Sequence, residues 1–185
     1  MIELQAVYFP AAKNYKEGKK MGLDMYLYAV PKITRMNFME VLTVDTNLTR
    51  LKKEDRELYQ RLKPHIVKCK EFGQAYPSLA IELAYWRKAN QIHNWFVKNV
   101  QNGQDNCMPY EVSREQVKDL YNCCQEVLTN ENGYKVLPTI SGFYFGSIEY
   151  DRFYYMDVEQ TKNIAADILE TYDFNTYHLI YNSSW

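Results

Sequence analysis

Several common signatures are missing from this 185-residue chain, and each absence removes a class of chemistry. It has no glycine-rich phosphate loop and no dinucleotide fingerprint, the usual ways of holding a phosphate on a helix N-terminus. It has no paired-histidine zinc helix and no turn that would expose a nucleophilic serine. The only histidines are His65, His93 and His178, far apart in sequence, so a histidine metal centre is not expected. Cys69, Cys107, Cys123 and Cys124 lack the paired spacing of zinc ribbons and redox motifs. On a helix the adjacent Cys123 and Cys124 side chains diverge by about 100°, which leaves reduced thiols in a cytoplasmic protein as the expectation. No cofactor and no metal are called for.

A charge excess is missing too: 22 basic and 23 acidic side chains leave a net charge of −1. General nucleic-acid binding needs a basic excess, because phosphate contacts supply most of its affinity. A DNA mimic needs the opposite excess. No apolar run approaches the roughly 20 residues of a membrane span, and no signal-peptide pattern opens the chain. What is present is a globular composition, 46% hydrophobic. A single domain of this length buries roughly 70% of its unfolded surface and needs no disulfides.

Residues 1–20 read as an N-terminal extension to a single domain over 21–185. Lys16-Glu-Gly-Lys-Lys20 before Met21 is what a purine-rich ribosome-binding site would encode, so Met21 is an alternative start. The other reading is a genuine strand from Ile2 to Phe9. Leu23 to Val30 alternates as a strand ended by Pro31, and Phe38 to Val44 is a second strand candidate. Lys52 to Phe72 has a helical pattern broken or kinked at Pro64. Pro77-Ser78 can cap a long helix over Leu79 to Val100, about 33 Å at 1.5 Å per residue. Ser113 to Gln116 and Asp157 to Gln160 read as capping boxes, opening helices to about Leu128 and Tyr172. Tyr177 to Tyr181 is a final strand able to pair with the Leu23 strand. The expected fold is α+β: a small mixed sheet from both chain ends against four to five helices, one of them long and central.

Two blocks concentrate the chemistry. In the first, Glu82, Asn90 and His93 fall among the apolar residues of the long helix. Arg87, Lys88, Gln91, Asn94 and Lys98 make its polar side, with Trp95 among them. Asn90 and His93, three apart, can address one partner together. Glu82 is about 16 Å from His93 along such a helix, too far for a direct pair. The functional reading is a binding or acid/base site around His93. The alternative is a buried network in which Asn90 and His93 satisfy tyrosine hydroxyls or sheet-end carbonyls. Trp95 is either covered by another element or an exposed anchor for a partner.

In the second block, Ser141 to Tyr155, seven of fifteen residues are aromatic. Gly142 and Gly146 flank Phe143-Tyr144-Phe145 and permit close approach or positive φ. Glu149, Asp151 and Arg152 are interleaved with the rings, which suits a pocket that stacks a planar ligand. The alternative is a pair of core strands or a tight aromatic loop. Trp185 either closes the aromatic site or caps the core.

Met21-Gly-Leu-Asp-Met-Tyr-Leu27, Glu82-Leu-Ala-Tyr-Trp-Arg-Lys-Ala-Asn90 with His93-Asn-Trp-Phe96, Ser141-Gly-Phe-Tyr-Phe-Gly146 and Asn182-Ser-Ser-Trp185 resemble a family of small proteins of phages, prophages and related mobile elements. The resemblance spans Met21 to Trp185, leaving residues 1–20 and the stretch Thr34 to Arg50 outside. No catalytic residues are assigned to that family, so none are carried over. The resemblance implies a phage accessory protein acting in the bacterial cytoplasm against a host process such as an immune system.

The expected function is binding that inhibits or sequesters a host component. One form is a protein-binding inhibitor with an aromatic surface around Trp95, Tyr150, Tyr154 and Tyr155. The other is a sponge for a small signalling molecule, with Arg87, Asn90, His93, Asn94, Tyr144 and the other tyrosines lining a pocket that Trp185 can close. The competing reading is a small hydrolase or transferase with His93 as base and Glu149 or Asp151 as its partner. A homodimer through an exposed Trp95 is compatible with the sequence.

Overall fold

The computed structural model describes residues 22–71 and 74–185. The strand expected over Ile2 to Phe9 and the start at Met21 lie outside them. Among the described residues the chain forms β1 (Asp24–Pro31), α1 (Phe38–Asp45), α2 (Leu48–Glu54), α3 (Arg56–Leu62), a 3-10 turn (Lys63–His65), β2 (Val67–Glu71), β3 (Gln74–Ser78), β4 (Ile81–Arg87), α4 (Asn90–Asn99), β5 (Tyr110–Glu111), α5 (Arg114–Asn130), α6 (Gly133–Val136), α7 (Arg152–Thr171) and β6 (Tyr177–Ser184). The fold is α+β. One sheet has the order β4-β1-β6-β5, so the first and last strands are neighbours, and β2 and β3 form a separate pair. Among the described residues no helix is long and apolar enough to cross a membrane.

The described chain divides into two compact units, one of 27–83 with 175–180, the other of 22–26, 84–174 and 181–185. In the first, Leu27, Val30, Val41, Leu42, Leu48, Leu62, Leu79, Ile81, Leu179 and Ile180 are buried. The antiparallel hairpin pairs Val67 with Ser78 and Glu71 with Gln74. Two expectations fail here. Phe38 to Val44 is helix, because Asn37 and Glu40 close a reciprocal capping box at its start. Those local bonds outweigh the strand preference of the Val and Thr residues. The helical stretch from Lys52 is broken at Asp55, α3 closes at Leu62, Pro64 lies in the 3-10 turn that follows, and the residues beyond it enter β2 instead of a further helix.

The long helix over Leu79 to Val100 is absent. Ser78 does not cap it; its hydroxyl donates to Asp45, and the Asp45 carboxylate accepts the Leu79 amide as well. Ile81 to Arg87 extends with Ala84 and Trp86 buried while Tyr85 and Arg87 are exposed. This period-two pattern overlaps the helical one at Trp86 and Ala89, so periodicity alone did not separate them. Lys88, at φ +62°, then breaks the strand.

In the second unit, α5 and α7 bury Val117, Leu120, Cys124, Val127, Tyr154, Val158, Ala165 and Ile168. Helix α5 begins at the expected capping box. Helix α7 begins five residues before its expected box, because the Asp151 carboxylate accepts the amides of Phe153 (2.9 Å) and Tyr154 (3.1 Å). Asp157 therefore lies inside the helix, where its carbonyl accepts the Thr161 hydroxyl (2.7 Å), and that oxygen accepts the Trp86 indole N–H (2.9 Å). Phe96 stacks flat on Tyr181 at 3.9 Å.

Candidate functional site

The site begins where β4 turns into α4. Lys88 takes a left-handed φ, and the Asn90 amide donates to the Lys88 carbonyl at 2.9 Å across Ala89 (φ −77°, ψ 69°). That is an inverse γ-turn, which ends the strand within two residues. It leaves the first turn of α4 with Asn90, Gln91, His93 and Asn94 all buried. Polar groups in such positions are stable only when paired.

Asn90 and Asn94 find their partners on the backbone of one exposed loop, Gln91 finds its partners on α7, and His93 meets Tyr181 and Asp105. Asn90 Nδ2 donates to the carbonyls of Phe145 (3.2 Å) and Ser147 (2.7 Å), and Asn90 Oδ1 accepts the Ile140 amide (3.0 Å). Asn94 Nδ2 donates to Pro138 O at 2.9 Å. Gln91 makes long bonds to Tyr154 O (3.5 Å) and to the Asp157 carboxylate (3.4 Å). The loop adds its own ties: Thr139 Oγ1 donates to Ile148 O (2.9 Å), and the buried Tyr154 hydroxyl donates to Leu137 O (2.9 Å). One amide-rich helix face thus grips the stretch that carries the second aromatic block.

Within that stretch Phe145 is buried while Phe143 and Tyr144 are exposed. The Phe145 amide donates to Gly142 O at 3.2 Å, closing a turn whose third residue, Tyr144, has φ +66°. This is the type II pattern, where glycine is the usual occupant. A Cβ on Gly142 would lie 2.5 Å from the Phe145 ring. Gly146, at φ +95°, would put a Cβ 3.1 Å from the Lys88 carbonyl, so only glycine lets the loop lie against the γ-turn.

Beneath the loop, His93 is fully buried. Its Nδ1 meets the Tyr181 hydroxyl at 2.8 Å and its Nε2 meets Asp105 Oδ2 at 3.0 Å. A carboxylate only accepts, so Nε2 carries a proton; in the neutral ring Nδ1 then accepts from Tyr181. Burial pushes the Tyr181 phenol well above its usual range. The other oxygen of Asp105 accepts the Trp185 indole N–H at 2.9 Å.

The remaining expected residues are scattered in role. Arg87 donates to Asp24 at 2.8 Å beside the Tyr85 hydroxyl. Trp95, one of whose two readings was an exposed anchor, is covered, with its ring edge-on to Phe96. Its ring therefore offers no isologous contact. Tyr154 is buried, Tyr155 half-buried, and Tyr144, Tyr150 and Trp185 exposed. Glu149 sits on the exposed loop and Asp151 caps α7, so the structure brings Asp105 to His93 rather than either of them.

Asp105 and Phe153 are the residues that sequence reading missed. A signal for the first existed: Asp105 is the first carboxylate after a histidine whose buried setting demands a partner. Phe153 stands at the exposed start of α7, and the misplaced cap concealed that position. Compared with protein-family models, curated proteins and solved structures, the chain matches none.

Proposed function

We propose that this chain is a phage or mobile-element accessory protein that binds a host protein and inhibits or sequesters it, with residues 143–156 as its contact face. One observation carries the reading. Of the eleven exposed large apolar side chains among the described residues, six fall in these fourteen positions: Phe143, Tyr144, Ile148, Tyr150, Phe153 and Met156. Exposed rings on a backbone tied to buried amides lose little freedom on binding, which is the profile of an interface anchor. The strained Tyr144 is consistent with this, since strain persists where function needs it.

A protein partner is favoured over a captured small molecule because the polar atoms of Asn90 and Asn94 already hold the loop and both ring nitrogens of His93 meet Tyr181 and Asp105. The enzyme reading loses support on the same ground, His93 being enclosed with both nitrogens engaged. The test compares the tagged protein with a Phe143→Asp/Phe153→Asp variant, recovered from host lysate and checked for native circular dichroism. A stoichiometric protein on the parent that is absent from the variant supports the reading. Equal capture by both, or a small molecule in place of a protein, overturns it.

A further inference from the structure

Phe145 is the one buried side chain between residues 141 and 150, so its seating decides where the exposed rings on either side of it stand. Two rings hold it. His93 meets it edge-on at 5.4 Å and 85°, and Trp185 meets it at 6.0 Å and 64°. Both holding rings are anchored by the same carboxylate: Asp105 Oδ2 takes the His93 Nε2–H at 3.0 Å and Oδ1 takes the Trp185 Nε1–H at 2.9 Å. His93 is fixed from its other side by Tyr181, whereas Trp185 is 55% exposed, and Asp105 is its only hydrogen-bond partner among the described residues.

We propose that Asp105 is the positioning residue of the aromatic loop: by bracing His93 and Trp185 at once it locks Phe145, and so makes the presentation of Phe143 and Tyr144 depend on Trp185 being seated. The chemistry suits the task. Each carboxylate oxygen takes one N–H here, whereas an amide would set an NH2 group against one of the two donors. Charge-assisted bonds of this kind are about twice as strong as neutral ones. Residues 182–185 are also tied near their start, where Asn182 Nδ2 donates to Cys107 O at 3.0 Å, so the segment bearing Trp185 is held against the 102–107 loop at both ends. The inference rests on the reading of 143–156 as a contact face, but its test needs no partner.

The experiment is amide hydrogen exchange on the full chain, read at Phe145, whose amide closes the turn, and at Ile140, whose amide bonds to Asn90. Trp185→Phe removes the indole N–H together with part of the ring, keeps an aromatic side chain at the position and leaves the His93 bond to Asp105 intact. It is expected to speed exchange at Phe145 by roughly fivefold, the loss of about one hydrogen bond, with Val117 and Leu120 of α5 unchanged. Asp105→Asn is expected to speed it further, and the double variant should fall clearly short of the product of the two single effects, because the Trp185 bond to Asp105 is weakened in both. Unchanged exchange at Phe145 in Trp185→Phe would overturn the proposal. So would additive effects, or equal acceleration across α5, which would mark a general loss of stability. If the loop responds as expected yet binds no protein, the proposed function fails while the positioning role stands.

Discussion

Replacing Asn90 by alanine strips the carbonyls of Phe145 and Ser147 and the amide of Ile140 of a buried partner. Each unsatisfied buried group costs roughly 1–3 kcal/mol, with water able to repair part of the loss. Asn90→Ala should therefore cost about 3 kcal/mol in urea unfolding, and a cost below about 1 kcal/mol would show that the loop does not depend on the clamp. Tyr144→Gly argues the other way. A left-handed residue with a side chain is strained by about 1–2 kcal/mol, while the ring of Tyr144 is largely exposed and contacts chiefly Phe143. The glycine variant should melt at the same temperature or higher, yet bind its partner at least about tenfold more weakly. Lower stability with unchanged binding would make Tyr144 structural. At this scale the reading of the two glycines holds, since Gly146 takes a positive φ and Gly142 lies close against the Phe145 ring. Asp105 was open only to the argument that a buried His93 needs a partner, because a carboxylate in an irregular loop has no periodicity to betray it.

Helix starts decide which residues the second unit exposes. The capping box at Ser113 was legible because it stands alone, with Ser113 Oγ accepting the Gln116 amide at 3.1 Å and Gln116 Oε1 accepting the Ser113 amide at 2.8 Å. The start of α7 lies earlier than expected because Asp151 as well as Asp157 is a residue able to cap, and Asp151 is the one whose carboxylate takes the first amides. That choice puts Phe153 and Met156 on the exposed side of the first two turns, beside the loop in sequence. Asp151→Ala should cost about 1–2 kcal/mol and fray those turns, visible as faster exchange at Phe153 and Tyr154. Asp157→Ala should leave these two amides unchanged, and equal fraying in both variants would contradict the assignment. Helix α4 and strand β4 were merged in the sequence reading for a related reason. Their buried residues satisfy both periods across the junction, and the γ-turn that parts them uses Lys88 and Ala89 rather than a glycine or proline.

For the whole molecule, the carboxylates that burial disturbs set the pH response. Desolvation raises Asp45 to about 6 against amide and hydroxyl donors that pull it down, and raises Glu82 to about 7. A raised acid holds its proton more tightly in the folded than in the unfolded state. Stability from these groups is therefore fullest below their ordinary values of 3.8 and 4.5 and is lost as pH rises through about 6 and 7. The melting temperature should rise as pH falls from 8 to about 5, and Glu82→Gln should flatten part of that slope by removing its upper end. A flat profile in the parent protein would show that other groups offset these two. The α+β class and the pairing of the terminal strands were legible at this scale, because both stretches are rich in tyrosine and aliphatic residues and the first stops at Pro31, although both strands are buried almost throughout rather than at alternate positions. The hairpin after Pro64 was not, since its charged residues fit a helix equally well.

The central claim is that the loop and helix start at 143–156 form the contact face. It is tested most directly by photo-cross-linking in host cells, with benzoylphenylalanine at position 143 and, as a control, at the exposed Asn163 further along α7. One discrete protein adduct is expected from position 143, lost when Phe153→Asp is added, and none from position 163. The same adducts from both positions, or an adduct at 143 that survives Phe153→Asp, would contradict it.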